Sequence, residues 1–332
     1  MNETFSVALA TYNGEKYLQE QLDSIAAQTH LPAELVVGDD GSSDKTIEIL
    51  ERFAETAPFP VHIMRNAENM GYSENFFNIS SRCKSNWIAF CDQDDVWMET
   101  KLSKVSRIIA KNEGVGVVVH EITTVDEDLN PVNKHEMRIR FSRKIKATGG
   151  YHRLYLGLGI VFKRSLMEDI DWRLRPSYHH NGKKWAHDGW ISVLSYAMTQ
   201  RYLCAEPLLL YRRHTNNVFA YVHPVLSEKL THLTKTTPGI YEFDVGISTT
   251  LSRWFENTAQ NLDATAAAPY LRAASAFALV TEVYRARQKL HQRVWLGRRL
   301  LLLFKLFTTR GYLGYFRIND NIKDVIRAFV GG

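Results

Sequence analysis

A chain of 332 residues, 45% hydrophobic and 23% charged, has the length and apolar content for one large α/β domain with a smaller appendage, which excludes a disordered or fibrous protein. The first eleven residues lack the basic start and apolar run of a secretory signal, and Arg298, Arg299 and Lys305 interrupt the longest apolar stretch, 294–307, so no spanning helix is expected. The net charge of +5 is uneven: residues 285–327 hold eleven Lys/Arg against two Asp/Glu, and subtracting that +9 leaves the remaining chain near −4.

The opening third alternates strand-like and helix-like segments. FSVALAT at 5–11 predicts a short strand, and Tyr17, Leu18, Leu22, Ile25 and Ala26 then share a helical face. ELVVG at 34–38 predicts a second strand. Ser43 is the expected N-cap of a helix carrying Ile47, Leu50, Phe53 and Ala54. Residues 61–64 predict a third strand, 72–83 a helix with Phe76, Phe77 and Ile79 inward, and 86–91 (NWIAFC) a fourth, apolar strand. Strands and helices alternating at this pitch imply right-handed βαβ units and a parallel sheet covered on both faces. Further on, strands are expected at 115–120, 157–162 and 208–211, with a Lys/Arg-rich segment at 134–146 and a helix at 186–198. Beyond about Asn217 the strand signals stop, and patterns such as 271–290 predict a separate helical segment.

Ligands on parallel sheets bind outside the carboxyl ends of the strands. Three polar clusters follow predicted strands: Thr11-Tyr12-Asn13, Asp39-Asp40-Gly41-Ser42 and Asp92-Gln93-Asp94-Asp95. Paired acids in a loop are most often a solvated turn. At the end of an apolar strand the balance shifts, because adjacent carboxylates repel unless a cation joins them. Hard oxygen donors of this kind suit Mg²⁺ or Mn²⁺, which also bind diphosphate oxygens. Gly41 permits a sharp turn, and Asp40 can accept the imide N–H of uracil or thymine. A Gly-x-Gly-x-x-Gly turn after the first strand is missing, which argues against a dehydrogenase, and no glycine-rich loop of a pyrophosphorylase stands there either.

Taken in order, ALATYNGEKYLQEQLDSI, VVGDDGSSDKT, NAENMGYSENFF and FCDQDDVW resemble the inverting glycosyltransferase family 2, and WAHDGW with EPLLLYRRHTNN is similar to its bacterial rhamnosyltransferase-type branch. The resemblance covers about residues 4–218 and implies the GT-A nucleotide-diphospho-sugar transferase fold, a mostly parallel central sheet flanked by helices, as domain 1–218, with a basic helical segment at 219–332. It implies that Thr11, Tyr12, Asn13 and Glu15 line the nucleobase and ribose, that Asp40 and Gly41 receive the base, and that Asp92 contacts the ribose. Asp94 would be the principal Mg²⁺ or Mn²⁺ ligand, joined by His214, with Arg212 neutralising phosphates and Asn75 beside the nucleotide. Asp188 would be the catalytic base, ionised at a helix N-terminus whose dipole favours that form, with Asp95, Trp97, His187 and Trp190 in support. Gly189 would leave room beside the acceptor.

The implied donor is a nucleotide-diphosphate sugar, dTDP-L-rhamnose ahead of UDP-hexoses, and the acceptor a glycan or lipid-linked saccharide. The basic stretch 285–307, with Trp295 near its middle, reads either as an amphipathic helix on an anionic membrane surface or as a helix packed on the catalytic domain. It carries no zinc-finger or RNA-binding signature, so nucleic acid is not an expected partner. Cys83, Cys91 and Cys204 have no metal-like spacing, and a cytoplasmic setting, peripheral to the inner membrane, is expected.

Overall fold

A computed structural model describes residues 3–133, 137, 139–145, 156–168, 170–177, 182–214, 240–290, 297, 301, 302 and 304, and its spine is a mixed ten-stranded sheet. One side of the sheet is parallel, in the order β3-β2-β1-β4: β1 (Phe5–Thr11), β2 (Glu34–Asp39), β3 (Val61–Arg65) and β4 (Trp87–Cys91). The connecting helices are α1 (Leu18–Ala26), α2 (Thr46–Thr56) and α3 (Tyr72–Ser80). Every residue of β2 and β4 is buried, as continuous apolar runs covered on both faces require.

The other side is built from β5 (Val96–Trp97), α4 (Lys101–Lys111), β6 (Val115–Val125), β7 (Pro131–Asn133), β8 (Arg143–Ile145), β9 (Ile160–Lys163), α5 (Ser165–Glu168), α6 (His187–Met198) and β10 (Gln200–Arg212). Its order continues from β4 as β9-β6-β10-β5. β9 runs antiparallel to both β4 and β6, so β6 and β10 regain the direction of the first four strands.

Several boundaries differ from the sequence reading, each for a local reason. Thr46 opens α2 with Lys45 at its cap, so Ser43 is not the N-cap; Asp44 turns the chain in by accepting the Thr46 amide at 3.0 Å. α3 stops at Ser80 because Arg82 and Cys83 donate to the carbonyls three residues back. β6 continues through Glu121 to Val125, and β10 begins eight residues before Leu208. Pro207 in β10 is tolerated because it sits at a register shift in the β6 ladder, where a missing N–H costs little. α4, with Leu102, Val105 and Ile109 buried, had no counterpart in the reading.

The helical region continues as α7 (Ile240–Ala259) and α8 (Ala264–Leu290), as expected. Much of its buried face joins the main core: Ile247, Leu251, Phe255, Tyr270 and Phe277 belong to the same buried cluster as the sheet, while Tyr241, Val280 and Tyr284 form a small cluster between the two helices. Phe255 stacks on Phe277 with centroids 5.6 Å apart, and Trp254 meets Trp190 of α6 edge-on at 4.8 Å. Of the basic stretch, the first residues end α8, with Arg287 buried, while most of 291–307 lies outside the described residues. No described helix is long and apolar enough to cross a membrane. All three cysteines are buried and unbridged.

Candidate active site

The carboxyl ends of β1, β2 and β4 form one rim, and polar side chains stitch their loops together. Asn13, at φ 47°, donates its amide to Ser42 Oγ (2.9 Å) and accepts from the Ser43 amide (2.9 Å). The Gly14 amide donates to Thr46 Oγ1 at 2.8 Å, and Glu15 accepts from the Lys45 amide at 3.1 Å. Gln93 forms a reciprocal pair with the Tyr12 backbone, accepting at 2.8 Å and donating at 3.0 Å. A Cβ at Gly14 would collide with Gln93 Oε1 and displace that amide from Tyr12. Tyr12 remains half exposed, and Asn13 and Glu15 are exposed on the rim. Thr11 is buried, with its hydroxyl committed to Asp39 at 3.0 Å; it holds β1 to β2 rather than facing the cleft.

Asp40 is 3% exposed and caps the chain entering α3. Its Oδ1 accepts from the Met70 amide (2.9 Å) and Asn66 Nδ2 (3.0 Å), and its Oδ2 from the Gly71 amide (2.8 Å). Oδ2 thus keeps acceptor capacity for one further donor. Gly41 and Gly71, at φ 89° and 83°, take the left-handed turns on either side. Asn75 is 1% exposed, donating to the Gly38 carbonyl at 2.7 Å and accepting from Asn66 at 3.1 Å. Its amide therefore braces the end of β2 and is not turned toward a nucleotide.

The acidic loop after β4 holds the densest charge. Burial, then Asp94 and Asp188, pushes the Asp92 carboxyl up to about 7, against the pull of Lys101. Asp95 is raised by burial and by both neighbours, although the Arg212 amide donates to its Oδ1 at 3.1 Å. Its Oδ2 is a buried oxygen without a hydrogen-bond partner. Asp94 Oδ2 meets His214 Nε2 at 2.8 Å, and the Tyr17 ring backs His214 with centroids 5.0 Å apart. Among the described residues no three His, Cys, Asp or Glu converge as a complete metal cage. A diphosphate-bound Mg²⁺ or Mn²⁺ needs only one or two protein ligands. Asp94 and His214 fit that requirement, and the carboxyls of Asp92 and Asp95, raised by burial and then by the charges beside them, are ones a cation would relieve.

Arg212 departs from its expected role. It is 2% exposed, with Nε on the Asp94 carbonyl at 2.9 Å, Nη1 on the Glu127 carbonyl and Nη2 on Glu20. Its guanidinium also lies over Tyr17, 4.5 Å from the ring centroid. The side chain clamps the acidic loop to α1 instead of reaching toward phosphates. Trp97, 2% exposed, lies under the Lys101 ammonium, 3.6 Å from the ring centroid, and Lys101 Nζ donates to the Leu158 carbonyl at 3.1 Å. Burial lowers Lys101 to about 7 despite Cys91, Asp95 and Asp92 nearby. In sequence an isolated lysine here reads as surface; only α4, which buries Leu102 beside it, shows this cation to be interior.

Asp188 lies in the first turn of α6, partly buried, its Oδ1 accepting from the Gly189 amide at 2.6 Å. Next to it, His187 meets Phe90 of β4 with ring centroids 4.8 Å apart and Tyr72 of α3 at 5.9 Å, which sets the start of α6 beside the strand that leads into the acidic loop and beside the α3 entry that Asp40 caps. His187 is buried, stacked on Phe76 at 4.1 Å, and its amide donates to Ser73 Oγ at 3.1 Å. Burial takes its ring down to about 4. Gly189 is buried and Trp190 fully so, facing Trp254; neither opens space toward an acceptor. Gly157 lies against His187 and Asp188, where a Cβ would come within 2.7 Å of His187 Nε2.

The model of the Glycosyl transferase family 2 matches residues 6–171, half of the chain and all three rim loops. The chain belongs to this family. Outside the family model, a protein of Mycobacterium tuberculosis is 26% identical over 218 residues, covering 64% of this chain and 60% of that protein, so the match spans less than two thirds of that relative. The dTDP-rhamnosyl transferase RfbG of Shigella flexneri is 28% identical over 221 residues, 63% of this chain and 72% of RfbG. The fold resembles that of Staphylococcus aureus TarS 1-349, solved in complex with UDP-GlcNAc: TM-score 0.55 at 19% identity, covering 98% of this chain and 90% of that one. This likeness concerns the fold, and it extends over the helices beyond the family match.

Proposed function

We propose that this family 2 chain is an inverting glycosyltransferase that moves a sugar from a nucleotide-diphosphate donor to a glycan or lipid-linked acceptor in cell-surface glycan synthesis. One observation carries the reading: Asp94 pairs with His214 at 2.8 Å on the loop after β4, and His187, next to Asp188, packs on the Phe90 ring of that same strand with centroids 4.8 Å apart. A candidate cation site and a candidate base thus both lie near the carboxyl end of β4. Tyr12, Asn13, Glu15 and Asp40 would receive the nucleoside, and Asp92 the ribose. Asp188 would take the proton of the acceptor hydroxyl as its oxygen attacks the anomeric carbon. The bond from that carbon to the diphosphate breaks on the opposite face, so the configuration inverts. Asp94 and His214 would hold a Mg²⁺ or Mn²⁺ ion, which would supply charge neutralisation for the leaving diphosphate.

The name of RfbG favours dTDP-L-rhamnose as donor, with UDP-hexoses as the second choice. A donor screen reading nucleoside-diphosphate release with added Mg²⁺ or Mn²⁺ decides between them. Asp94→Ala and Asp188→Asn are each expected to lower turnover at least ~10³-fold, the second with donor binding retained. Release with no donor would leave a nucleotide-sugar-binding protein; full activity in either variant removes that residue from its role.

The basic stretch 285–307 supports a peripheral site on the inner face of the cytoplasmic membrane, and Leu301 and Phe304 are 69% and 67% exposed. Flotation with anionic vesicles, lost at high salt, is the expected result; equal recovery with neutral vesicles would count against it.

A further inference from the structure

The geometry points to Arg175 as a positioning residue for Asp188, an assignment that rests on the base reading above. Arg175 lies thirteen residues before Asp188 and is 3% exposed. Its Nε donates to the Trp185 carbonyl at 2.6 Å, its Nη1 to the Trp172 carbonyl at 2.9 Å, and its Nη2 pairs with Glu74 of α3. The guanidinium also covers the Phe77 ring at 4.4 Å. A buried arginine held by two carbonyls and a carboxylate fixes the groups around it, because any displacement leaves a charge unpaired in low dielectric.

What it fixes is the entry of the chain into α6. Trp185 precedes Ala186, the cap of the helix whose second residue is Asp188. Ala186 offers no side-chain cap, so the direction of α6 depends on contacts from outside. Three come from α3: Ser73 to the His187 amide, Phe76 stacked on His187, and Glu74 through Arg175 to Trp185. The strap that carries Arg175 is itself anchored twice. Trp172 stacks on Phe77 with centroids 5.0 Å apart, and the Leu174 carbonyl accepts from Trp254 Nε1 of α7 at 2.9 Å. The same α3 begins at the turn capped by Asp40, so one helix registers the nucleoside side of the cleft against the base.

Arg175→Met and Arg175→Lys test this, at a temperature well below the melting point of every variant. With the sugar nucleotide that the donor screen selects, kcat for Arg175→Met is expected to fall about 10- to 100-fold, the scale of a misplaced reacting group. Its donor KM is expected to stay within about twofold, since no donor contact is removed. Arg175→Lys, which keeps the charge but not the fork, should recover part of the loss. Hydrogen exchange, which needs no substrate, should show faster amides at 187–190 in Arg175→Met with those of α1 and α2 unchanged. Wild-type kcat and unchanged exchange in Arg175→Met would overturn the assignment. If Asp188→Asn is inactive while Arg175→Met is not, the brace fails and the base stands. If Asp188→Asn is fully active, the base reading fails, whatever the exchange at 187–190 shows.

Discussion

The two sides of the cleft are built by different means. On the β1–β2–β4 side, each rim loop leaves a buried parallel strand, and hydrogen bonds from the loops of adjacent strands complete it: Asn13, Gly14 and Glu15 bind residues 42–46, and Gln93 binds Tyr12. On the α6 side, nothing local suffices. Asp188 sits on a helix without a side-chain cap, held by α3, a strap at 172–175 and, through Trp190 and Trp254, by α7. The proposed donor rim is stitched from loops that adjacent parallel strands bring together, whereas the proposed base is placed by helices and a strap outside that run of strands. Substitutions in the helices beyond the family match should therefore disturb the base side first.

The largest expected effect breaks that coupling directly. Phe255 of α7 is fully buried between Trp254, Tyr270 and Phe277. Phe255→Ala should cost about 3–5 kcal/mol, as aromatic truncations in cores do, and lower a single unfolding transition followed by both far-UV and tryptophan signals. A separate low-temperature step for α7 and α8, with the main transition unmoved, would show that they form their own unit.

A second effect, of similar or smaller size, sharpens the contrast by pH. Burial holds His187 at about 4 in the folded chain, below the ordinary histidine value of ~6.5 in the unfolded one. Between these values the unfolded chain binds a proton that the folded chain does not. The stability that His187 contributes is therefore complete above pH 6.5 and is lost as pH drops toward 4, by on the order of 3 kcal/mol. His187→Phe should remove this contribution, so that its melting temperature drops less, or rises more, from pH 7.5 to 5 than that of the parent chain; buried His120 acts in the same direction, and the raised carboxyls of Asp92 and Asp95 act in the opposite one. An unchanged slope would mean that His187 is not buried neutral.

The smallest effect belongs to the donor side. A Cβ at Gly38 would strike Asn75 Oδ1 and Ile79, so Gly38→Ala should cost about 1–3 kcal/mol, typical of overpacking. It should also weaken nucleotide binding by shifting the end of β2 from which Asp40 follows. Wild-type melting and wild-type nucleotide affinity together would show that the rim yields more easily than its hydrogen bonds suggest.

Periodicity and strand-end polarity were sufficient for β1 to β4, for α1 and α6, and for the rim that carries Asp40, Asp92 and Asp94, because in a parallel sheet the end of a buried strand is also where ligands meet the chain. Motif resemblance added Asp188 and His214, and the structure brings the second to within 2.8 Å of Asp94. Other assignments needed the folded chain. Arg212, Asn75 and Thr11 have side chains that suit a ligand equally well, and only tertiary contacts turn them inward to Glu20, Gly38 and Asp39. Lys101 and Arg175 were passed over because an isolated cation in sequence reads as surface, and burial becomes visible only once its partners, Leu158, Glu74 and Trp185, have been brought from elsewhere. Local pattern determines which segments form strands and which loops are acidic; which charges face the cleft and which brace it is decided by desolvation, which depends on neighbours distant in the chain.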